Sequence, residues 1–279
     1  MSLHIDAPID LDAYLARIGL GILPETDAEG LGAVQRAHRL SIPFENLDVR
    51  LGRGVSLDPE HVFDKLVHRR RGGYCFEQNQ LFLRALTAIG FDARPLLARV
   101  WLMADGVPPL THTLNLIYFD DQPWIADAGF GGSYSPPMPL IDGADATAPD
   151  GAHFRLRADS LHGWLLERKG DPKSTDGRTA HDDWQLQYSF TLATIATIDL
   201  ELSNHWSSTR PGTRLTTRSV VSLVLPSGFA SLTDRHYTRR NGDQYVEAEI
   251  ESAKAWRLRL NFVFGIALDD VEVGGLGLF

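Results

Sequence analysis

Hydrophobic residues recur at one spacing over the first third of this chain and at another beyond it. The change of period near Arg94 restricts the fold more than any other feature. Asp10 is a predicted N-cap for a helix carrying Leu11, Tyr14, Leu15 and Ile18 at i, i+3, i+4 and i+7, and Gly19 suits its end. Thr26 and Glu29 stand at capping-box spacing before a second helix through Leu31, Val34 and Ala37. The pattern breaks over 41–48, because a residue before proline, here Ile42, avoids the α region. Asp58 and Pro59 form an N-cap and N1 pair for a third helix with Val62, Phe63, Leu66 and Val67 on its apolar face. Gly72-Gly73 read as the break of that helix, and another starts at Cys75 and runs through Phe76, Phe82, Leu86 and Ile89 to Gly90.

Beyond Arg94 the aromatic and β-branched residues of 95–103, 111–119 and 124–128 predict strands. Further strands are expected at 154–157, 161–168, 220–225 and 229–232, and Asn241-Gly242 marks a hairpin between 235–240 and 244–250. Residues 141–151 and 169–183 read as exposed loops, 184–200 has no clear period, 204–218 reads as a polar linker, and a helix is expected near 251–260. The expected class is α+β, divided into a helical unit over 1–90, a strand-rich unit over 91–203, and a linker with a mixed unit over 204–279.

Cys75 is the only cysteine, which excludes an intramolecular disulfide and a thiolate-rich zinc site; no metal is expected. A lone cysteine is ordinarily a small buried hydrophobe. This one falls at a helix start, where free N–H groups and the helix dipole lower a thiol pKa from roughly 8.5. The glycine pair before it reads as room for other groups to approach the sulfur. With 27 Lys plus Arg against 36 Asp plus Glu, the formal charge of −9 argues against nucleic acid or an anionic membrane as the main partner. No apolar run approaches the ~20 residues of a membrane span. The N-terminal residues lack the basic and apolar regions of a signal peptide, so a cytoplasmic protein is expected.

A nucleophilic thiol needs a base, and the base an orienting group. His4, His38, His61, His68, His153, His162 and His181 lie in amphipathic helices, at the terminus or in polar stretches, and read as surface residues. His112 and Asp127 lie on successive predicted strands, where a charged residue is out of place. If Asp120-Asp121 form the turn, Phe119 pairs with Gln122 and His112 becomes the diagonal neighbour of Asp127, at roughly 7–8 Å. A turn centred one residue later separates them by roughly 14 Å along the strand. Residues alone leave a Cys75–His112–Asp127 triad and an ordinary polar strand face both open.

Four blocks then stand together: Arg-Gly-Gly-Tyr-Cys-Phe-Glu at 71–77, Ile-Pro-Phe-Glu-Asn-Leu at 42–47, Thr-His-Thr-Leu at 111–114, and Asp-Ala-Gly-Phe-Gly-Gly at 127–132. In order and spacing they resemble the arylamine N-acetyltransferase family, most strongly over residues 10 to 140. That resemblance implies a helical first domain, a β-barrel-like second domain, a C-terminal α/β lid, and a Cys-His-Asp core like that of papain-like and transglutaminase-like enzymes. It implies Cys75 as acyl acceptor, His112 as base and Asp127 as its orienter. Thr111, Gly129, Phe130, Gly131 and Gly132 are implied beside coenzyme A, and Phe44, Val100 and Phe130 as lining of an apolar acceptor pocket. Acetyl-CoA is the implied co-substrate and an arylamine or arylhydrazine the acceptor, linked by ping-pong chemistry through an acetyl-cysteine. Trp101 matches a position often aromatic in the family. Ala128, Arg210 and Leu215 depart from the family pattern. Amide synthases of secondary metabolism share the motifs; a cysteine hydrolase or transglutaminase-like enzyme, and a binding protein with a vestigial site, are the other readings.

Overall fold

A computed structural model describes residues 9–119, 121–179 and 181–279. The first helices are α1 (Leu11–Ile18), α2 (Ala28–Ser41), the short α3 (Leu47–Arg50), α4 (Pro59–Phe63) continued by a π-turn over Asp64–His68, and α5 (Cys75–Ile89). Asp10 accepts the Ala13 N–H, Asp58 accepts those of Glu60 and His61, and Gly19 and Gly90 close α1 and α5 in the left-handed region. The cap of α2 is Asp27, not Thr26: its carboxylate accepts the Gly30 N–H, and Glu29 falls in the first turn. Tyr14, Leu31, Val34, Phe82 and Leu86 form one core, against which Ile117 and Ala126 of the sheet pack.

All pairings in the large sheet are antiparallel. It runs in the order β5 (Met138–Pro139), β4 (Gln122–Ala126), β3 (Leu110–Phe119), β2 (Asp92–Val100), β9 (Gln185–Phe190), β8 (Gly163–Lys169), β7 (His153–Asp159) and β6 (Asp145–Thr147), and it curls into a barrel-like form. β9 occupies a stretch whose period was unreadable, because both its faces are covered: Tyr188 and Phe190 turn into the barrel core while Gln187 and Ser189 are also buried.

The second sheet has the order β1 (Phe44–Glu45), β10 (Val220–Leu225), β11 (Gly228–Thr233), β12 (His236–Asn241) and β13 (Gln244–Glu249), and β12–β13 is the expected hairpin. α8 (Ala253–Phe264) and α9 (Asp270–Gly275) cover it through Trp256, Leu260 and Val273. The expected linker over 204–218 is instead the second half of α6 (Thr197–Thr209) and the short α7 (Arg214–Thr217). α6 lacked a readable apolar face because its large hydrophobics Ile198 and Leu202 stay exposed. Among the described residues no helix is long and apolar enough to cross a membrane. A small fourth cluster brings Phe44, Tyr74, Cys75, Phe76, Leu97 and Val220 together from the helices and both sheets, and there the site forms.

Candidate active site

Cys75 is the first residue of α5, with Tyr74 as N-cap. Glu77 turns back and accepts the Tyr74 N–H at 3.0 Å, fixing the entry to the helix. Its carboxylate is buried and is held by Lys65 Nζ at 2.7 Å, which also reaches Asp48 at 2.7 Å. Arg71 donates to Glu45 at 2.6 and 3.0 Å and approaches Asp48 at 3.4 Å. Arg69 and Arg70 beside it are exposed, whereas Arg71 is buried in this network. The glycine pair differs from expectation. The preceding helix has already ended at His68, and a side chain on Gly72 would strike the Pro43 carbonyl at 2.2 Å, while one on Gly73 would strike Glu77 at 2.8 Å. Burial opposes the charge on Lys65, yet Glu77, Glu45 and Asp48 hold its pKa above the ordinary lysine range, so its contribution is fully present at neutral pH. Lys65→Met is expected to cost about 3–5 kcal/mol by leaving the buried Glu77 carboxylate without its cation, read as a fall in the denaturation midpoint at unchanged slope.

β3 and β4 pair in the first of the two registers considered, with Phe119 opposite Gln122 and Asn115 opposite Ala126; Asp120 lies outside the described residues. Asp127 follows directly on β4, and His112 Nε2 donates to its Oδ2 at 2.7 Å. The other carboxylate oxygen accepts from the amides of Gly129 and Phe130, each at 2.9 Å, and from Asn79 at 3.0 Å. Burial raises the Asp127 pKa, but the charge and hydrogen bond of His112, with Asn79 and the Gly129 amide, more than offset it and bring it to about 2. A hydrogen bond from Nε2 to an ionised carboxylate leaves Nδ1 as the basic nitrogen of His112. β2 carries a bulge at Ala98/Arg99 whose pairing passes from His112 to Leu110, so Thr111 is left out of the ladder. Its freed carbonyl receives the Cys75 thiol at 3.7 Å.

The thiol does not have the lowered pKa that a helix start suggests. Burial and then the Asp127 carboxylate push it up, against a smaller downward pull from the Phe76 amide. The dipole of one helix end acts through partial charges, whereas removing a thiolate from water costs several kcal/mol.

Cys75 and His112 line one cavity of about 340 Å³. Of the residues expected there, Thr111, Gly129, Phe130, Gly131, Phe44 and Val100 all line it. Gly132 is not among the lining residues; its carbonyl accepts Arg39 Nη2 at 2.8 Å. The Gly-Phe-Gly-Gly turn is not a free phosphate cradle, since its first two amides are already committed to Asp127. Gly129 is required for another reason: a Cβ there would lie 2.5 Å from Asn79 and 2.9 Å from Cys75 Cα. Trp101 donates to Ser189 and does not line the cavity.

Several neighbours of the site were not foreseen. Asn79, one helical turn beyond Cys75, donates to Asp127 and Thr113 and accepts the Ala128 amide, a role that i, i+4 spacing would have suggested. Gln35 accepts the Asp127 amide at 2.9 Å. The Tyr188 ring lies 5.1 Å from that of His112, on a strand the pattern did not show. His38 is wholly buried rather than on the surface: it bonds Tyr14 and Gln78, and burial lowers its pKa to about 3. His4 lies outside the described residues. Asp176, Arg178, Trp206, Arg214 and Leu215 complete the cavity wall, from stretches read as loop and linker.

Comparisons with known proteins agree with this arrangement. A family model described as N-acetyltransferase matches residues 27–273. The arylamine N-acetyltransferase / N-hydroxyarylamine O-acetyltransferase of Salmonella typhimurium is 35% identical over 95% of this chain and 91% of its own. The arylamine N-acetyltransferase of Escherichia coli is 34% identical over 95% of this chain and 91% of its own. A solved Salmonella typhimurium structure superposes with a TM-score of 0.87 at 33% identity, over 96% of this chain and 98% of that one. The Mycobacterium marinum enzyme in complex with CoA superposes at 0.84, with 32% identity over 96% and 97% of the two chains. Motifs, fold and near-complete coverage coincide, and the chain belongs to the arylamine N-acetyltransferase family.

Proposed function

We propose that the protein moves an acetyl group from acetyl-CoA to the nitrogen of an arylamine or arylhydrazine by a ping-pong reaction through acetyl-Cys75. The observation that carries this is the meeting of Cys75 with the His112–Asp127 pair in one cavity of a chain of this family. His112 Nδ1 accepts the Cys75 thiol proton as Sγ bonds to the thioester carbonyl carbon. Asp127 stabilises the resulting imidazolium. The helix-start amide of Cys75 donates to the developing oxyanion, a contact worth roughly 3–4 kcal/mol in comparable sites. Collapse of the tetrahedral intermediate breaks the carbon–sulfur bond to coenzyme A, which leaves as a thiol with the proton from His112. The amine then attacks the acetyl-cysteine, gives its proton to His112, and releases the Cys75 sulfur, which takes that proton back.

An aromatic acceptor fits the wall made by Phe44, Val100, Phe130, Leu215 and Val220. A wider groove of about 900 Å³ shares Val100, Leu102, Met103, Asp176, Arg178 and Arg214 with this cavity and also carries Lys173, Arg218 and several threonines. That groove suits the phosphates of the coenzyme.

Purified protein is expected to release free coenzyme A from acetyl-CoA continuously only when an arylamine or arylhydrazine is added, followed by thiol titration. Release independent of amine would favour a hydrolase. Absence of release with every amine tried would favour an amide synthase supplied by a carrier protein.

A further inference from the structure

Two residues of α2 hold the turn that follows β4. Gln35 and Arg39 stand four apart, on one face of the helix, and both are buried. Gln35 Oε1 accepts the Asp127 amide at 2.9 Å, and its Nε2 donates to the Ser135 carbonyl at 2.6 Å. Between those points Arg39 Nη1 donates to the Ala128 carbonyl at 3.4 Å and Nη2 to that of Gly132 at 2.8 Å. One helix face therefore holds both ends of the segment 127–135. Neither Gln35 nor Arg39 lines the reaction cavity or the wider groove, whereas Gly129, Phe130 and Gly131 in the middle of the turn line the cavity.

We propose that Arg39 is a positioning residue for the His112–Asp127 pair, acting through the turn at 128–132. The kinetic part of the proposal rests on the acetyl-transfer reading. The Gly129 and Phe130 amides fix one oxygen of Asp127 and so leave the other for His112. The Ala128 carbonyl and the Gly129 N–H belong to one planar peptide group and point opposite ways. A bond from Arg39 to that carbonyl therefore keeps the N–H on Asp127, and the same guanidinium fixes the far end of the turn at Gly132. The energetics point the same way. Among the described residues the Arg39 side chain bonds only these two carbonyls, and its Nε has no partner. Burial pulls its pKa down, and the Asp127 charge counters this only in part. A buried guanidinium with no carboxylate bonded to it costs more than a packed apolar side chain. What it adds is a two-point grip of fixed spacing, which neither an apolar residue nor a lysine supplies.

The test reads the imidazole directly. Nitrogen-15 NMR of histidine-labelled protein, with the His112 signals assigned by their loss in His112→Gln, reports which ring nitrogen carries the proton. Wild-type protein is expected to show the Nε2–H form. In Arg39→Met both tautomers are expected to appear, and kcat to fall by about ten- to a hundredfold, the cost of a misplacement of about 1 Å. His112 serves both half-reactions, so both slow together and each KM is expected to stay within about twofold. Arg39→Lys, which reaches one carbonyl but not both, is expected to fall between wild type and Arg39→Met, and it carries the test should the methionine variant fold poorly. Wild-type kcat in either folded variant overturns the assignment. So does a lost rate with His112 still wholly in the Nε2–H form, which would mark a merely structural residue, or a rise confined to one KM. Wild-type protein that acetylates no amine would overturn the transfer reading instead, and the tautomer comparison would still decide the role of Arg39.

Discussion

Cys75→Ala is expected to abolish amine-dependent release of coenzyme A, a loss on the order of 10⁴–10⁶ in kcat, because the covalent route has no other carrier. Cys75 is the only cysteine in 279 residues, so no second thiol can substitute. The decisive measurement is the intact mass after mixing with acetyl-CoA and no acceptor. Wild-type protein gains one acetyl group, and the variant gains none. The thiol is small, and alanine replaces it without adding volume, so the fold survives and thermal melting checks this. Steady turnover by the alanine variant would end the acetyl-cysteine reading.

Asp127→Asn carries the second large effect, a fall of about 10⁴ in kcat with little change in shape. The carboxylate satisfies four donors: His112, Asn79 and the amides of Gly129 and Phe130. An amide in its place offers one oxygen instead of two. Its NH2 then faces either the two backbone N–H groups or the imidazole, and in the second case Nε2 must become the acceptor and Nδ1 loses its basic role. The pH dependence follows from the depressed pKa. The stabilisation that Asp127 provides is present above the ordinary carboxylate value of 3.8 and is lost as pH falls toward about 2. Any loss of rate between pH 5 and 7 must therefore come from another group, and a pH–rate profile of the wild type reads this directly. A variant retaining more than a tenth of wild-type kcat would remove the orienting role from Asp127.

The local cues in the chain were legible where the physics is local. Asp10, Asp58, Gly19 and Gly90 cap helices through contacts within four residues, so their spacing sufficed. The turn and the alternation of side chains allowed two β3–β4 registers, and the structure adopts the one that brings His112 to Asp127. The α6 helix and β9 strand escaped for opposite reasons. One presents exposed hydrophobics along a polar surface, and the other is covered on both faces, so neither shows the alternation that burial on one side imprints.

The sequence by itself determined the change from helical to strand period, the caps, the thiol at a helix start, and the family blocks that surround it. Only the tertiary structure decided the burial of that thiol, of Arg71 and of His38, and the glycines that face Cys75 and Glu77. It alone also brought Tyr188, Arg178 and Leu215 to the site. The physical reason is range: capping and turn geometry act over a few residues, whereas desolvation and side-chain contact depend on which distant segments close over a group.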